Sequence, residues 1–243
     1  MSRIPVPRGR FWERTNHEGK TVSLVGGLMA AAGAVTGSLC APAPVRNAAL
    51  IAGSAGAVAG FIDDHGESRL PAAKGLAGHL KLLGEGRVST GVVKIAVIGA
   101  GAGLAASLLS RRPRDVAVRA VGIAATANLI NLLDLRPGRA HKAVALGSAL
   151  VTPGGSPQLT AALLGAVAGT VRDDLARETM LGDLGANALG AVLGTALTAH
   201  PSRLVRTLGA GAAVGLVLVS EKVSFSRVID TNPVLRAIDG WGR

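Results

Sequence analysis

The sequence predicts an all-α fold, a polytopic membrane helix bundle of about eight apolar segments. Three observations predict it. The 243 residues are 49% hydrophobic, with a mean hydropathy of +0.42. The apolar residues fall in blocks of about 15 to 22, separated by short charged stretches, and about 20 apolar residues in a helix match the hydrocarbon core of a bilayer. The 34 glycines, with many alanines, supply the small side chains through which membrane helices approach one another.

In chain order the blocks run 22–40, 45–62, 89–110, 116–133, 140–152, 157–171, 184–199 and 203–220. The first begins near Val22, after a basic amino-terminal stretch. Alone it would read as a signal peptide, but seven further blocks make it a signal-anchor helix. The fifth, sixth and seventh are short; they tilt, thin the bilayer locally, or stop short of crossing. The resulting plan is a basic cytoplasmic tail at 1–21, a helix bundle with catalytic-type loops at 22–220, and a cytoplasmic tail at 221–243. Aromatics are scarce: Phe11, Trp12, Phe61, Phe225 and Trp241, with no tyrosine, so the usual aromatic belts are missing. Cys40 is the single cysteine, which excludes an intrachain disulfide or a cysteine metal cluster.

A net charge of +11 on a soluble protein would suggest a nucleic-acid partner. Here Lys and Arg lie mostly in loops. If successive segments cross the membrane, 18 basic residues fall on one side and 6 on the other. The positive-inside rule makes the richer side cytoplasmic, with both termini there and no nucleic acid expected. Asp63, Asp64, Asp134 and Asp183 then all lie near the cytoplasmic face. The stretch KIAVIGAGAGLAASLL (94–109) is a weak echo of a dinucleotide fingerprint. Its third glycine position is Leu104, and no alternating strands surround it.

The acids gather near helix ends. Asp63 and Asp64 close the second block in GFIDDHGESRL, and adjacent carboxylates repel unless a cation or proton lies between them. Oxygen ligands of this kind suit magnesium or manganese beside a phosphate. The alternative is a solvated loop start. In ATANLINLLDLRPGRA, Asn128, Asn131 and Asp134 are spaced three apart, which puts them within about 120° on one helix face. Asparagines also hydrogen-bond between membrane helices. In MLGDLGANALGA, Asp183 stands at a helix amino terminus, where a carboxylate is favoured anyway, with Asn187 one turn on. Lys81, in HLKLLGEGR, is placed to hold a phosphate or to lie in a surface helix on lipid; Lys74 and Arg87 are weaker candidates.

Taken in order, Gly26-Gly27, Asp63-Asp64, Lys81, Asn128/Asn131/Asp134 and Leu181-Gly182-Asp183-Leu184-Gly185 resemble the motifs of the polyprenyl-phosphate N-acetylhexosamine-1-phosphate transferases, the superfamily that includes phospho-N-acetylmuramoyl-pentapeptide transferase. The likeness covers roughly residues 20 to 200. It implies a multi-pass enzyme of the bacterial cytoplasmic membrane that moves a sugar 1-phosphate from a UDP-sugar to a polyprenyl phosphate in cell-envelope (peptidoglycan-type) glycan synthesis. By the same resemblance Asp183, Asp63 and Asp64 hold Mg2+ (or Mn2+), and Asp63, Asp64 and Asp134 are catalytic. Lys81 binds phosphate, and Asn128, Asn131 and Asp134 face the nucleotide. A homodimer is compatible with it. The sequence departs from the family pattern at Leu135, Pro137 and Ala186, and has no histidine after residue 200. Two alternatives stand beside the transferase: a degenerate homologue that binds prenyl phosphate or an envelope-assembly partner, and a membrane prenyltransferase.

Overall fold

The computed structural model describes residues 9, 11–16, 19–66, 82, 84, 85 and 89–242. Among them the protein is all-helical apart from one small hairpin, β1 (Glu13–Thr15) paired antiparallel with β2 (Thr21–Ser23). The helices are α1 (Val25–Gly37, continued by a 3-10 turn Ser38–Cys40), α2 (Val45–Gly66), α3 (Thr90–Leu109), α4 (Pro113–Leu133), α5 (Arg139–Val151), α6 (Pro157–Leu175), α7 (Gly182–Ala199), α8 (Arg203–Ser220), α9 (Phe225–Thr231) and α10 (Pro233–Gly240). Their starts follow local chemistry. Ser89 and Ser202 accept from the backbone N–H groups of Val92 and Val205, and prolines stand in the first turns of α4 and α6, where no N–H is missed.

Each apolar block coincides with a helix, but four of them, α2, α3, α4 and α8, are long and apolar enough to cross a membrane. Helix α8 is the barest, with Leu204, Leu208, Leu216 and Leu218 exposed along it. Such a leucine surface is stable against lipid and not against water.

Helix α7 is the axis of the molecule. Fifteen of its 18 residues are buried, and it packs against α1, α2, α3, α4, α5, α6 and α8. Glycine, threonine and asparagine lower its hydropathy, because its surroundings are other helices. Contact is backbone to backbone. A Cβ at Gly60 of α2 would overlap the Asp183 carbonyl, and one at Gly56 would lie 2.6 Å from the Asn187 carbonyl oxygen. Two apolar clusters flank the axis. One joins Ala30, Val144, Leu159, Leu163, Leu189 and Val192; the other joins Ala52, Ile98, Ala102, Ile123, Ala127 and Ala191.

Both terminal segments expected to be tails carry structure. The boundary at residue 21 cuts through β2, and the hairpin is pinned to α2 and to the turn that precedes α7. Arg14 donates to the Asp64 carbonyl at 2.7 Å, Ser23 bridges to Thr179, and the His65 ring stacks between Phe11 and Phe61. A run of charge and turn residues hid the hairpin, because its order comes from those distant contacts. The carboxy-terminal segment folds into α9 and α10, held to the start of α5 by a buried ion pair and to the turn before it by a more exposed one, both described below.

Candidate functional site

Helix directions decide which polar groups meet. The carboxyl ends of α2 and α4 and the amino ends of α3, α5 and α7 lie at one end of the bundle. There Lys94, the fifth residue of α3, places its Nζ between Asp63 and Asp183. It donates to Asp63 Oδ2 at 3.2 Å and to Asp183 Oδ2. Asn131 completes the set. In the amide orientation its neighbours favour, its Nδ2 donates to Asp183 Oδ1 at 3.1 Å and its Oδ1 accepts from Lys94 Nζ at 2.8 Å. The ammonium has three hydrogens and finds three oxygens, from α2, α4 and α7. Its side chain is 11% exposed, so this pairing offsets a desolvation cost that a lone lysine would not survive as a cation.

Asp64 does something different from its neighbour. Its Oδ1 accepts from the Asp183 backbone N–H at 3.2 Å and its Oδ2 from the Leu184 N–H at 2.9 Å. Leu181, at the cap position of α7, gives no side-chain cap, so a carboxylate from another helix supplies it. Gly182, with φ +58°, makes the turn into α7, and a Cβ there would lie 3.1 Å from Asp64 Oδ2.

Asp134 caps the far end of α4. Its Oδ2 is sealed from solvent without a hydrogen-bond partner. Burial pushes its carboxyl well above the ordinary carboxylate range, the charges of Asp174 and Asp183 push the same way, and the Gly182 N–H opposes them. Asp174, behind it, accepts from the Gly138 N–H and lies 3.5 Å from His141 Nδ1. His141 Nε2 meets Thr170 Oγ1 at 2.9 Å; because Thr170 donates to the Ala166 carbonyl, the histidine is the donor. Asn187 Nδ2 donates to the Asp183 carbonyl at 2.7 Å, tying the two α7 residues together.

The structure therefore brings Asp63, Asp183 and Asn131 onto one cation, with Asp64 beside them as a helix cap. Asn128, one turn before Asn131, makes no side-chain hydrogen bond among the described residues. Lys81, Lys74 and Arg87 lie outside the described residues. Lys94 is the residue that motif reasoning passed over. Its signal was a lysine inside an apolar helix, which is rarely without purpose. Among the described residues, no group of three or more His, Cys, Asp or Glu side chains is arranged to hold a metal ion. The Asp64 oxygens are committed to backbone, and the remaining donors are two carboxylates and an amide. Those three oxygens are hard donors already gathered round a positive charge, which is the chemistry a small divalent cation accepts.

Fold and site together define an all-helical protein with four helices long and apolar enough to cross a membrane and an acid–lysine–amide cluster at one end of its bundle. No protein-family model matches the chain, and no curated protein matches it.

Proposed function

We propose that this chain is an integral membrane phosphotransferase, a bundle of about eight segments in a bacterial cytoplasmic membrane with both termini cytoplasmic. Its reaction would move a sugar 1-phosphate from a UDP-sugar to a polyprenyl phosphate. A phosphate oxygen of the lipid forms a bond to the sugar-bearing phosphorus as the bond to UMP breaks, and UMP leaves with the electron pair. The observation that carries the reading is the convergence of Asp63, Asp183, Asn131 and Lys94 at one bundle end, beside the partnerless Asp134 oxygen. Two anions must meet in such a transfer, and positive charge at the meeting point lowers the barrier. Asp63, Asp183 and Asn131 would hold Mg2+, which when bound supplies that charge to the phosphates. Lys94, released from the carboxylates, would then be a phosphate-binding ammonium, and the protonated Asp134 carboxyl, close to Asp183, would donate a hydrogen bond to a nucleotide or phosphate oxygen. The proposed role of Asp64 is to fix the Asp183 backbone. Envelope glycan synthesis is the expected setting.

The test is transfer by the detergent-purified protein, with undecaprenyl phosphate, magnesium and a panel of radiolabelled UDP-sugars. Lipid-linked label that vanishes in Asp183→Asn supports the reading. Failure of every donor, with polyprenyl phosphate still bound, replaces it with a prenyl-phosphate-binding homologue that does not turn over. The saturation of Lys94 by three oxygens is the observation that favours that second reading.

A further inference from the structure

We infer that α9 and α10 form an interfacial anchor, a pair of short helices lying on an anionic lipid surface at the acid end of the bundle and holding the Asp134 turn in place. Helix α10 has eight residues, so it is about 12 Å long and far too short to cross a hydrocarbon core of about 30 Å. It is strongly two-faced. Val234 and Ile238, four apart, share one face, and Trp241 follows just past the helix end; the three are 66%, 54% and 78% exposed. On another side Asp239 is buried against Arg139, which donates to it at 2.8 and 3.0 Å. Lys142 donates to the Ile238 and Asp239 carbonyls at 3.0 and 2.7 Å. Arg136 holds Asp230 of α9 by two bonds, at 3.0 and 2.8 Å. The helices are thus fixed to the α4–α5 turn, and their apolar face is turned away from it.

Three features identify the occupant of that face as lipid. The exposed apolar residues follow directly along the chain from a helix fit to cross a membrane: after Leu216, Leu218 and Val219 of α8 come Val223 and Val228. The position of Trp241, at the end of the apolar face, is where tryptophan settles at a headgroup boundary. The charge suits an anionic leaflet. Asp230 and Asp239 are neutralised by Arg136 and Arg139, which leaves Lys222, Arg227 and Arg236 against the single acid Glu221, an excess of positive charge that suits lipid phosphates. Arg236 lies off the apolar Val234–Ile238 face, from where its long side chain reaches the headgroup layer. Because Arg136 and Arg139 bracket the turn that follows Asp134, a lipid-docked α10 steadies that carboxylate.

The chain has two tryptophans, so Trp12→Phe makes Trp241 the sole reporter in the full-length protein. In vesicles containing phosphatidylglycerol, its fluorescence is expected to be quenched severalfold more by lipids brominated near the headgroup than by lipids brominated at the tail ends, and barely by iodide. Ile238→Lys should reverse that pattern. Should Trp12→Phe disturb the hairpin, the difference between wild type and Trp241→Phe isolates the same signal. Free access of iodide to Trp241 overturns the proposal. So does shielding from both quenchers, which would put a second copy of the chain on this face. Equal lipid quenching in purely zwitterionic vesicles overturns the charge argument.

Discussion

At its amino end α7 is met by a carboxylate, and at its carboxyl end by guanidinium groups. Asp64 reaches from α2 to accept two backbone N–H groups. Arg119 reaches from α4 to the Thr198 carbonyl, and Arg206 from α8 to the His200 and Pro201 carbonyls, both at 2.7 Å. Both ends thus supply the charge that the helix dipole favours. The difference lies in what remains. At the basic end Arg206 is spent on terminal carbonyls, and one buried nitrogen, Arg119 Nε, is left over without a hydrogen-bond partner, with Asp115 of the same helix the one carboxylate among the described residues whose charge acts on that guanidinium. At the acid end Asp64 alone completes the cap, yet Asp63, Asp134, Asp183, Asn131 and Lys94 crowd the same place. Stability needs the first kind of arrangement. The surplus at the acid end needs another reason, and proposed chemistry supplies it.

The sharpest way to break this contrast is to neutralise one surplus acid and one basic-end group. Asp183→Asn should cut lipid-linked product by about 100-fold or more, the size of losing a group that stabilises developing charge. Arg206→Gln should leave turnover unchanged. If both variants lose turnover alike, the two ends do not differ in kind. Next in size is stability in detergent. Asp64→Ala removes both acceptors from the α7 amino end and should cost about 1–2 kcal/mol in unfolding free energy, typical of losing a cap. Asp64→Asn keeps one acceptor and should cost less. Arg206→Ala, at the half-buried carboxyl end, should cost about 1 kcal/mol. Thermal melts of the three purified variants check the order, and an Asp64→Ala protein of wild-type stability would show that the carboxylate is not a cap.

How much of this the sequence disclosed differs between the ends as well. The apolar blocks follow from composition alone, and the acids near block ends were visible as interruptions. That Asp63 and Asp64 would part company was not visible. Neighbours on a helix point about 100° apart, so one faces Lys94 and the other the start of α7. Lys94 stood in plain sight within 89–110, but its role depends on how α3 pairs with α2 and α7, which no spacing along the chain encodes. Of the eight blocks, four form helices long and apolar enough to cross a membrane, and block length alone did not separate these from the others. Helix α7 is lined by helices on all sides, so its residues answer to backbone contact at Gly56 and Gly60 and not to lipid. The structure at 13–23 was missed because a short hairpin takes its order from Asp64 and Thr179, far along the chain.

The smallest effect is also the most specific to the acid end. Asp134 is raised above its unfolded pKa chiefly by burial, so the folded protein holds a proton there that the unfolded chain gives up. Its contribution to stability is therefore fully present below the unfolded carboxylate pKa of about 4 and is lost as pH rises through the folded value. Asparagine imitates the protonated acid at every pH. Asp134→Asn should then melt with wild type in acid and above it at neutral pH, by about 2–4 °C for each kcal/mol released. The gap should widen with pH until the wild-type group is ionised in both states. The same variant should lose transfer activity, because a buried acid that weakens the fold is retained for what it does in the site. Melting curves of the two proteins across a pH series, in one detergent, decide it. A gap that stays constant or closes as pH rises would mean that Asp134 is ionised and well paired in the folded state, and the acid end would then be as fully satisfied as the basic one.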